Sequence, residues 1–145
     1  MKARRPRVIR RGLHAAAWAA VLSGAPSTIH ALATGGEPLQ ATLAAGRMVA
    51  PRAADPRHLV LAAALAHGAL SVGWGVALAA TLPERRTVAW GALAGFGIGI
   101  LDLLVIGRHI PAIRDLAIAP QLADHVAFGL VAGYVLRDGT RAPGP

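Results

Sequence analysis

The chain has 145 residues, of which 54% are apolar and only 15% are charged, and its mean hydropathy is +0.50. Soluble domains carry about a quarter charged residues, so this composition argues against a water-soluble globule and favours one integral membrane domain over residues 1–145. The formal net charge is +8, and cysteine is absent. The lack of cysteine excludes disulfides, thiolate metal sites and cysteine nucleophiles.

Positive charge is concentrated at the N-terminus. The basic residues there are Lys2, Arg4, Arg5, Arg7, Arg10 and Arg11. Basic residues beside a membrane span set its orientation and attract anionic lipid headgroups. A nucleic-acid-binding protein would instead need a basic face on a folded domain, with aromatic or polar side chains that read the bases. This cluster has neither, so we expect the lipid bilayer and its anionic headgroups, and not nucleic acid, as its partners.

The first apolar segment, residues 12–33, is long enough to cross a hydrocarbon core of ~30 Å. Pro26 removes a backbone donor, which predicts a kink or an unwound patch there. Hydroxyl groups of Ser23, Ser27 or Thr28 are available to the polar backbone groups that the break releases. A cleaved signal peptide over 1–33 is the alternative, because a basic start, an apolar middle and an Ala-Leu-Ala end follow in order.

A short helix is predicted over residues 38–49. Pro38 suits a first helical position, and Leu39, Leu43 and Gly46 then share one face. The segment is interpreted either as a helix lying at the membrane surface or as an ordinary loop helix.

Three further apolar segments, 58–82, 87–107 and 116–136, are each long enough to span a membrane. A polar, disordered tail is expected over 138–145. The predicted fold is therefore all-α, a bundle of four transmembrane helices in a single domain.

The distribution of arginine and lysine predicts the orientation of this bundle. With four spans, one side holds Lys2, Arg4, Arg5, Arg7, Arg10, Arg11, Arg85, Arg86, Arg137 and Arg141. The other side holds Arg47, Arg52, Arg57, Arg108 and Arg114. The richer side faces the cytoplasm, so both termini are expected there. Arginine far outnumbers lysine, and alanine and glycine abound, which suggests a GC-rich bacterial genome; we therefore expect a multi-pass protein of the bacterial cytoplasmic (inner) membrane.

Glycines recur at every fourth position of the last two predicted spans. They are Gly91, Gly95 and Gly99 in one and Gly129 and Gly133 in the other. Helices associate in lipid through close backbone contact at such small residues. We expect these stripes to pack within one chain, and a homo-oligomer face is the alternative.

Ionisable and polar residues interrupt all four apolar segments at a similar depth, in the half away from the N-terminus. They are His30, His67, Ser71, Asp102, Gln121, Asp124 and His125. Such groups cost several kcal/mol in hydrocarbon and normally face a bundle interior with a partner. Ser71 follows His67 by one turn, and Gln121 precedes His125 by one turn. We therefore expect the residues to converge.

Three interpretations of this polar layer remain open. In the first, the groups satisfy one another and fix helix pairing in a non-enzymatic membrane component that needs no cofactor. In the second, Asp124 and His125 carry protons in a transporter or channel subunit, with Asp102 as counter-charge and the break at Pro26 as a ligand site. In the third, His67 and His125 ligate a haem or a divalent metal. No two ligands share one helix at metal-binding spacing, which weakens the third.

Several short segments carry a resemblance to a known group of proteins. They are Ser23–Thr28, Ile100–Leu103, Gly107–Arg108, Pro120–Gln121, Asp124–His125 and Phe128–Gly129. Together they resemble small four-span integral membrane proteins of high-GC bacteria. The resemblance implies four helices in a bacterial inner membrane, and it implies no activity and no functional residues.

Overall fold

A computed structural model describes residues 4–137, and every described secondary-structure element is helical. The predicted tail over 138–145 lies outside the described residues, as do Lys2 and Arg141 of the charge count. The all-α class predicted from the sequence is confirmed.

Seven α-helices follow one another within residues 4–137. They are α1 (Arg4–Leu22), α2 (Ala25–Thr34), α3 (Gln40–Val49), α4 (Pro56–Thr81), α5 (Thr87–Ile100), α6 (Pro111–Arg114) and α7 (Ile118–Arg137). A π-helix (Leu101–Ile106) and a 3₁₀ turn (Gly107–His109) continue α5.

Two of these helical stretches, Pro56–Thr81 and Thr87–His109, are long and apolar enough to cross a membrane. They match the predicted spans 58–82 and 87–107 closely. The predicted spans 12–33 and 116–136 do not meet the same criterion within the described chain.

The first predicted span is two helices. The chain leaves α1 after Leu22 and starts α2 at Ala25, so the break lies at Ser23–Gly24, just ahead of Pro26. Pro26 stands in the first turn of α2, where its missing N–H costs no helical hydrogen bond. Helix α2 ends at Thr34, and the next residue, Gly35, caps it in the left-handed conformation with a φ of +72°.

Helix α3 packs against the start of α4. A side chain at Gly46 would collide with the backbone of Leu59, so this contact requires glycine. Asp55 caps α4, since its carboxylate accepts the N–H of Arg57 at 2.8 Å. The shared apolar face of α3 was visible in the sequence, whereas its contact with α4 was not.

The two glycine stripes pack against each other within one chain. A Cβ at Gly91 would collide with the carbonyl of Gly129, and one at Gly95 would collide with the carbonyl of His125. Further along, a Cβ at Gly99 would lie 3.0 Å from that of His125. Helices α5 and α7 are therefore antiparallel neighbours in backbone contact, as small residues permit.

Helix α1 joins this pair to α4. A Cβ at Gly75 would lie 2.7 Å from the carbonyl oxygen of Gly12, which marks a second close crossing. The buried core between α1, α4 and α7 consists of Ala15, Ala19, Leu78, Phe128, Ala132 and Leu136. Arg11 also donates to the carbonyl of Leu136 at 2.5 Å. The start of α1 and the end of α7 thus lie at the same end of the bundle.

Candidate functional site

The N-terminus of α2 is capped by a side chain from another helix. The Asp124 carboxylate on α7 accepts the backbone N–H of Ser27 at 2.8 Å. Ser27 is the third residue of α2, and its N–H is among the groups that a helix cannot satisfy internally. A carboxylate also suits the positive end of the helix dipole. The hydroxyl of Thr28 donates to the carbonyl of Gly24 at 2.8 Å, so this carbonyl at the break has a side-chain donor.

The other side of the break receives a second side chain. The Nε2 atom of His67, on α4, lies 2.9 Å from the carbonyl oxygen of Ala20. Ala20 is in the last turn of α1, where carbonyls lack helical partners. Because a carbonyl only accepts, Nε2 of His67 carries the hydrogen and donates it. The interrupted helix is therefore held on one side by α4 and on the other by α7.

Asp102 and His125 form the third contact of the layer. Nε2 of His125 lies 3.2 Å from Oδ2 of Asp102, and its Nδ1 lies 2.9 Å from the backbone carbonyl of Gln121. The carbonyl requires Nδ1 to be the donor. This contact ties the π-helix to α7, next to the close approach at Gly99.

The π-helix at Asp102 is a feature that sequence reasoning missed. Its wide turn is closed by the N–H of Gly107, which donates to the carbonyl of Asp102. A Cβ at Gly107 would lie 2.8 Å from that oxygen and 2.6 Å from Cγ2 of Ile113. The only trace in the sequence is a glycine five residues after an aspartate, which does not by itself indicate a π turn. Such turns occur frequently at functional sites.

The layer is thus three separate contacts and not one cluster. Asp124 and His125, predicted as a proton-bearing pair, face different elements, because consecutive residues on a helix point about 100° apart. His125 meets Asp102, whereas Asp124 meets α2. Gln121 contributes its backbone carbonyl to His125. Ser71 is buried on α4, one turn after His67.

His30 lines a cleft beside the layer. The cleft has a volume of about 110 Å³ and lies between α2, the connection to α3 and the start of α7. Its polar lining residues are Ser27, His30, Thr34, Glu37, Gln40 and Gln121. Ser27 and Gln121 belong both to this lining and to the contacts of Asp124 and His125, so the cleft adjoins the layer.

Within residues 4–137, no three His, Asp or Glu side chains are grouped as a metal ion needs. Both ring nitrogens of His125 already have partners, and so does Nε2 of His67. Ligation through those atoms would cost these hydrogen bonds. The haem or metal interpretation stays a prediction, and no contact here supports it.

Comparison of the chain with protein-family models, with curated proteins and with solved structures finds no match. What the structure defines is a class: an all-helical bundle with two membrane-length helices, an interrupted helix and a polar layer around the interruption. The functional argument rests on the chemistry of that layer.

Proposed function

We propose that the chain is a four-span protein of the bacterial cytoplasmic membrane, a non-enzymatic component in which the polar layer locks a broken first span into the bundle. The observation that carries the proposal is that α7 and α4 each supply a side chain to one end of the break. Lipid offers no water to an unpaired backbone group, and each such group costs several kcal/mol there. Asp124 and His67 therefore stabilise one arrangement of helices over others.

The exposure of the apolar helices supports placement in a membrane. Only 22% of the most apolar window of each membrane-length helix is buried, whereas the core helix of a soluble protein would be mostly buried. Large apolar side chains such as Val21, Leu65 and Leu93 are 77%, 65% and 57% exposed. A bilayer would cover this surface.

The first helix supports retention of residues 1–33 and not their cleavage as a signal peptide. Ala15 and Ala19 of α1 are fully buried against α4 and α7. Their removal would expose the centre of the core. The arginines of α1 lie at the same bundle end as Arg137, and we place this end in the cytoplasm, in contact with anionic headgroups.

Single cysteines test the membrane placement and the orientation, because the natural chain contains none. Thr34 and Thr81 are matched positions: both are exposed at a helix end and each donates to the carbonyl four residues earlier. A membrane-impermeant thiol reagent should label Thr34→Cys in right-side-out vesicles and Thr81→Cys in inverted vesicles. The opposite pattern would overturn the orientation, and recovery of the chain in the soluble fraction would overturn the membrane placement.

A proton- or solute-coupled transporter or channel subunit is the second candidate. The observation that favours it is the interrupted helix with an acid and an imidazole at its two ends, since transporters build binding sites at discontinuous helices. Its test is proton flux into liposomes that contain the protein, compared with Asp124→Asn and with empty liposomes. The glycine stripes are already used within one chain, so a homo-oligomer would need another face.

A further inference from the structure

We infer that Asp102 and His125 form a binding site for a single proton, which reaches the pair from the outer face through the cleft beside α2. The inference rests on the membrane placement proposed above. It differs from a relay through Asp124 and His125, because the structure gives His125 a different acidic partner.

The hydrogen-bond geometry determines the number of protons in the pair. Nδ1 of His125 must hold a hydrogen, because it faces the carbonyl of Gln121. Nε2 then faces Oδ2 of Asp102 at 3.2 Å. A hydrogen bond between these two atoms needs one more proton, on either the ring or the carboxyl group. The contact exists as imidazolium and carboxylate, or as imidazole and carboxylic acid.

Both forms of the occupied pair have zero net charge. Loss of the shared proton leaves a carboxylate of Asp102 against the lone pair of a neutral imidazole, with a net charge of −1 and no hydrogen bond. Hydrocarbon strongly disfavours an unpaired charge. Proton binding therefore holds the π-helix against α7, and proton release opens this contact. Binding or release of this proton therefore changes how firmly the π-helix is held against α7.

We assign the proton's route to the cleft because it adjoins the pair, although neither Asp102 nor His125 lines it. Ser27 and Gln121 line it, and the same two residues bond to Asp124 and His125 respectively. The side chains of Asp102 and His125 are each about a quarter exposed, at 26% and 25%. A quarter of each side chain therefore lies at the surface of the bundle.

Titration of the pair must be distinguished experimentally from that of other groups on the packed helices. Asp124 neighbours His125 on α7, and His67 of α4 is close enough to interact electrostatically with Asp124. His30 and Glu37 line the cleft. Arg11 lies at the opposite end of α7, on the carbonyl of Leu136.

Nitrogen-15 NMR of histidine-labelled protein in lipid nanodiscs tests the proton count on the unaltered chain. We expect Nδ1 of His125 to remain protonated throughout a pH titration while the Nε2 signal responds. In Asp102→Asn, the amide N–H can donate to Nε2 of His125, so the contact no longer needs the shared proton. The pH response of the Nε2 signal should then be lost over the same pH range. Asp55→Asn, the same change at an exposed helix cap, should keep it. An unprotonated Nδ1, or an unchanged Nε2 response in Asp102→Asn, would overturn the site.

Cysteine labelling tests the route. The reagent should reach Ser27→Cys and Gln121→Cys in right-side-out vesicles and not in inverted ones, while Ser71→Cys, buried on α4, should stay unlabelled in both. Labelling of both cleft positions from the inner side only, or of neither, would overturn the route. If Thr34→Cys still reacts from the outer face in that case, the membrane placement stands and only the route fails.

Discussion

The carboxylate of Asp124 accepts the backbone N–H of Ser27 at 2.8 Å, across 97 positions of the chain. An N-cap is usually supplied by the residue that precedes a helix. Here the residue before α2 is Gly24, which has no side chain, and α7 supplies the acceptor instead. The cap is therefore a tertiary contact, and its loss would weaken both the helix end and the packing of α2 on α7.

Replacement of Asp124 tests this cap. We expect Asp124→Ala to lower the free energy of unfolding in detergent micelles by about 1–2 kcal/mol, as loss of an N-cap does. Asp124→Asn keeps an acceptor and should lose less. Asp55→Ala is the matched comparison: Asp55 also caps a helix, α4, but its side chain is 49% exposed, so water can replace it and the loss should lie near the lower end of the range for N-caps, about 0.5 kcal/mol. An Asp124→Ala protein as stable as the natural one would contradict the cap.

Replacement of His67 tests the other side of the break. His67→Leu leaves the carbonyl of Ala20 without its donor. The site is exposed on the chain and would be covered by detergent or lipid, so the loss should cost about 1–3 kcal/mol of unfolding free energy. His67→Gln retains a donor and should cost less. His58→Leu serves as control, because that ring is 73% exposed beside Asp55 and surface pairs contribute about 0–1 kcal/mol. Equal losses at the two histidines would argue against a role for His67 at the break.

The glycines of α5 allow a test in which two similar changes have opposite effects. Gly95→Ala places a methyl group against the carbonyl of His125, and such overpacking costs about 1–3 kcal/mol. Gly97→Ala meets nothing within 4 Å and should gain up to about 1 kcal/mol from helix propensity. Chemical unfolding followed by circular dichroism measures both. The contact between α5 and α7 would be refuted if the two variants changed stability in the same direction.

Gly107 tests the π-helix. Gly107→Ala crowds the carbonyl of Asp102 and the side chain of Ile113, so we expect the π turn to rearrange and the contact between Asp102 and His125 to be lost. The NMR signal of Nε2 in His125 should then resemble that of Asp102→Asn, with helical content nearly unchanged. Gly73→Ala, where an added methyl meets nothing within 4 Å, should leave the signal in place. An unaltered signal in Gly107→Ala would show that the π turn does not position Asp102.

Sequence reasoning located the polar residues but not their partners. Asp102, Asp124, His67 and His125 are conspicuous because ionisable groups are rare in apolar helices. Their pairing depends on which face of α7 meets α5 and which meets α2. Asp124 and His125 look like a pair in the sequence, and the rotation between consecutive helical residues directs them to different helices.

The sequence by itself determined the helical class, two of the four predicted spans, a break near Pro26, the glycine stripes and the residues of the polar layer. Composition, hydrophobic run length and residue spacing are local properties, and they suffice for these features. Tertiary structure alone decided the closure of the break by Asp124 and His67, the π-helix at Asp102 and the pairing of Asp102 with His125. These features depend on backbone groups and side chains brought together from distant segments, which no local pattern encodes.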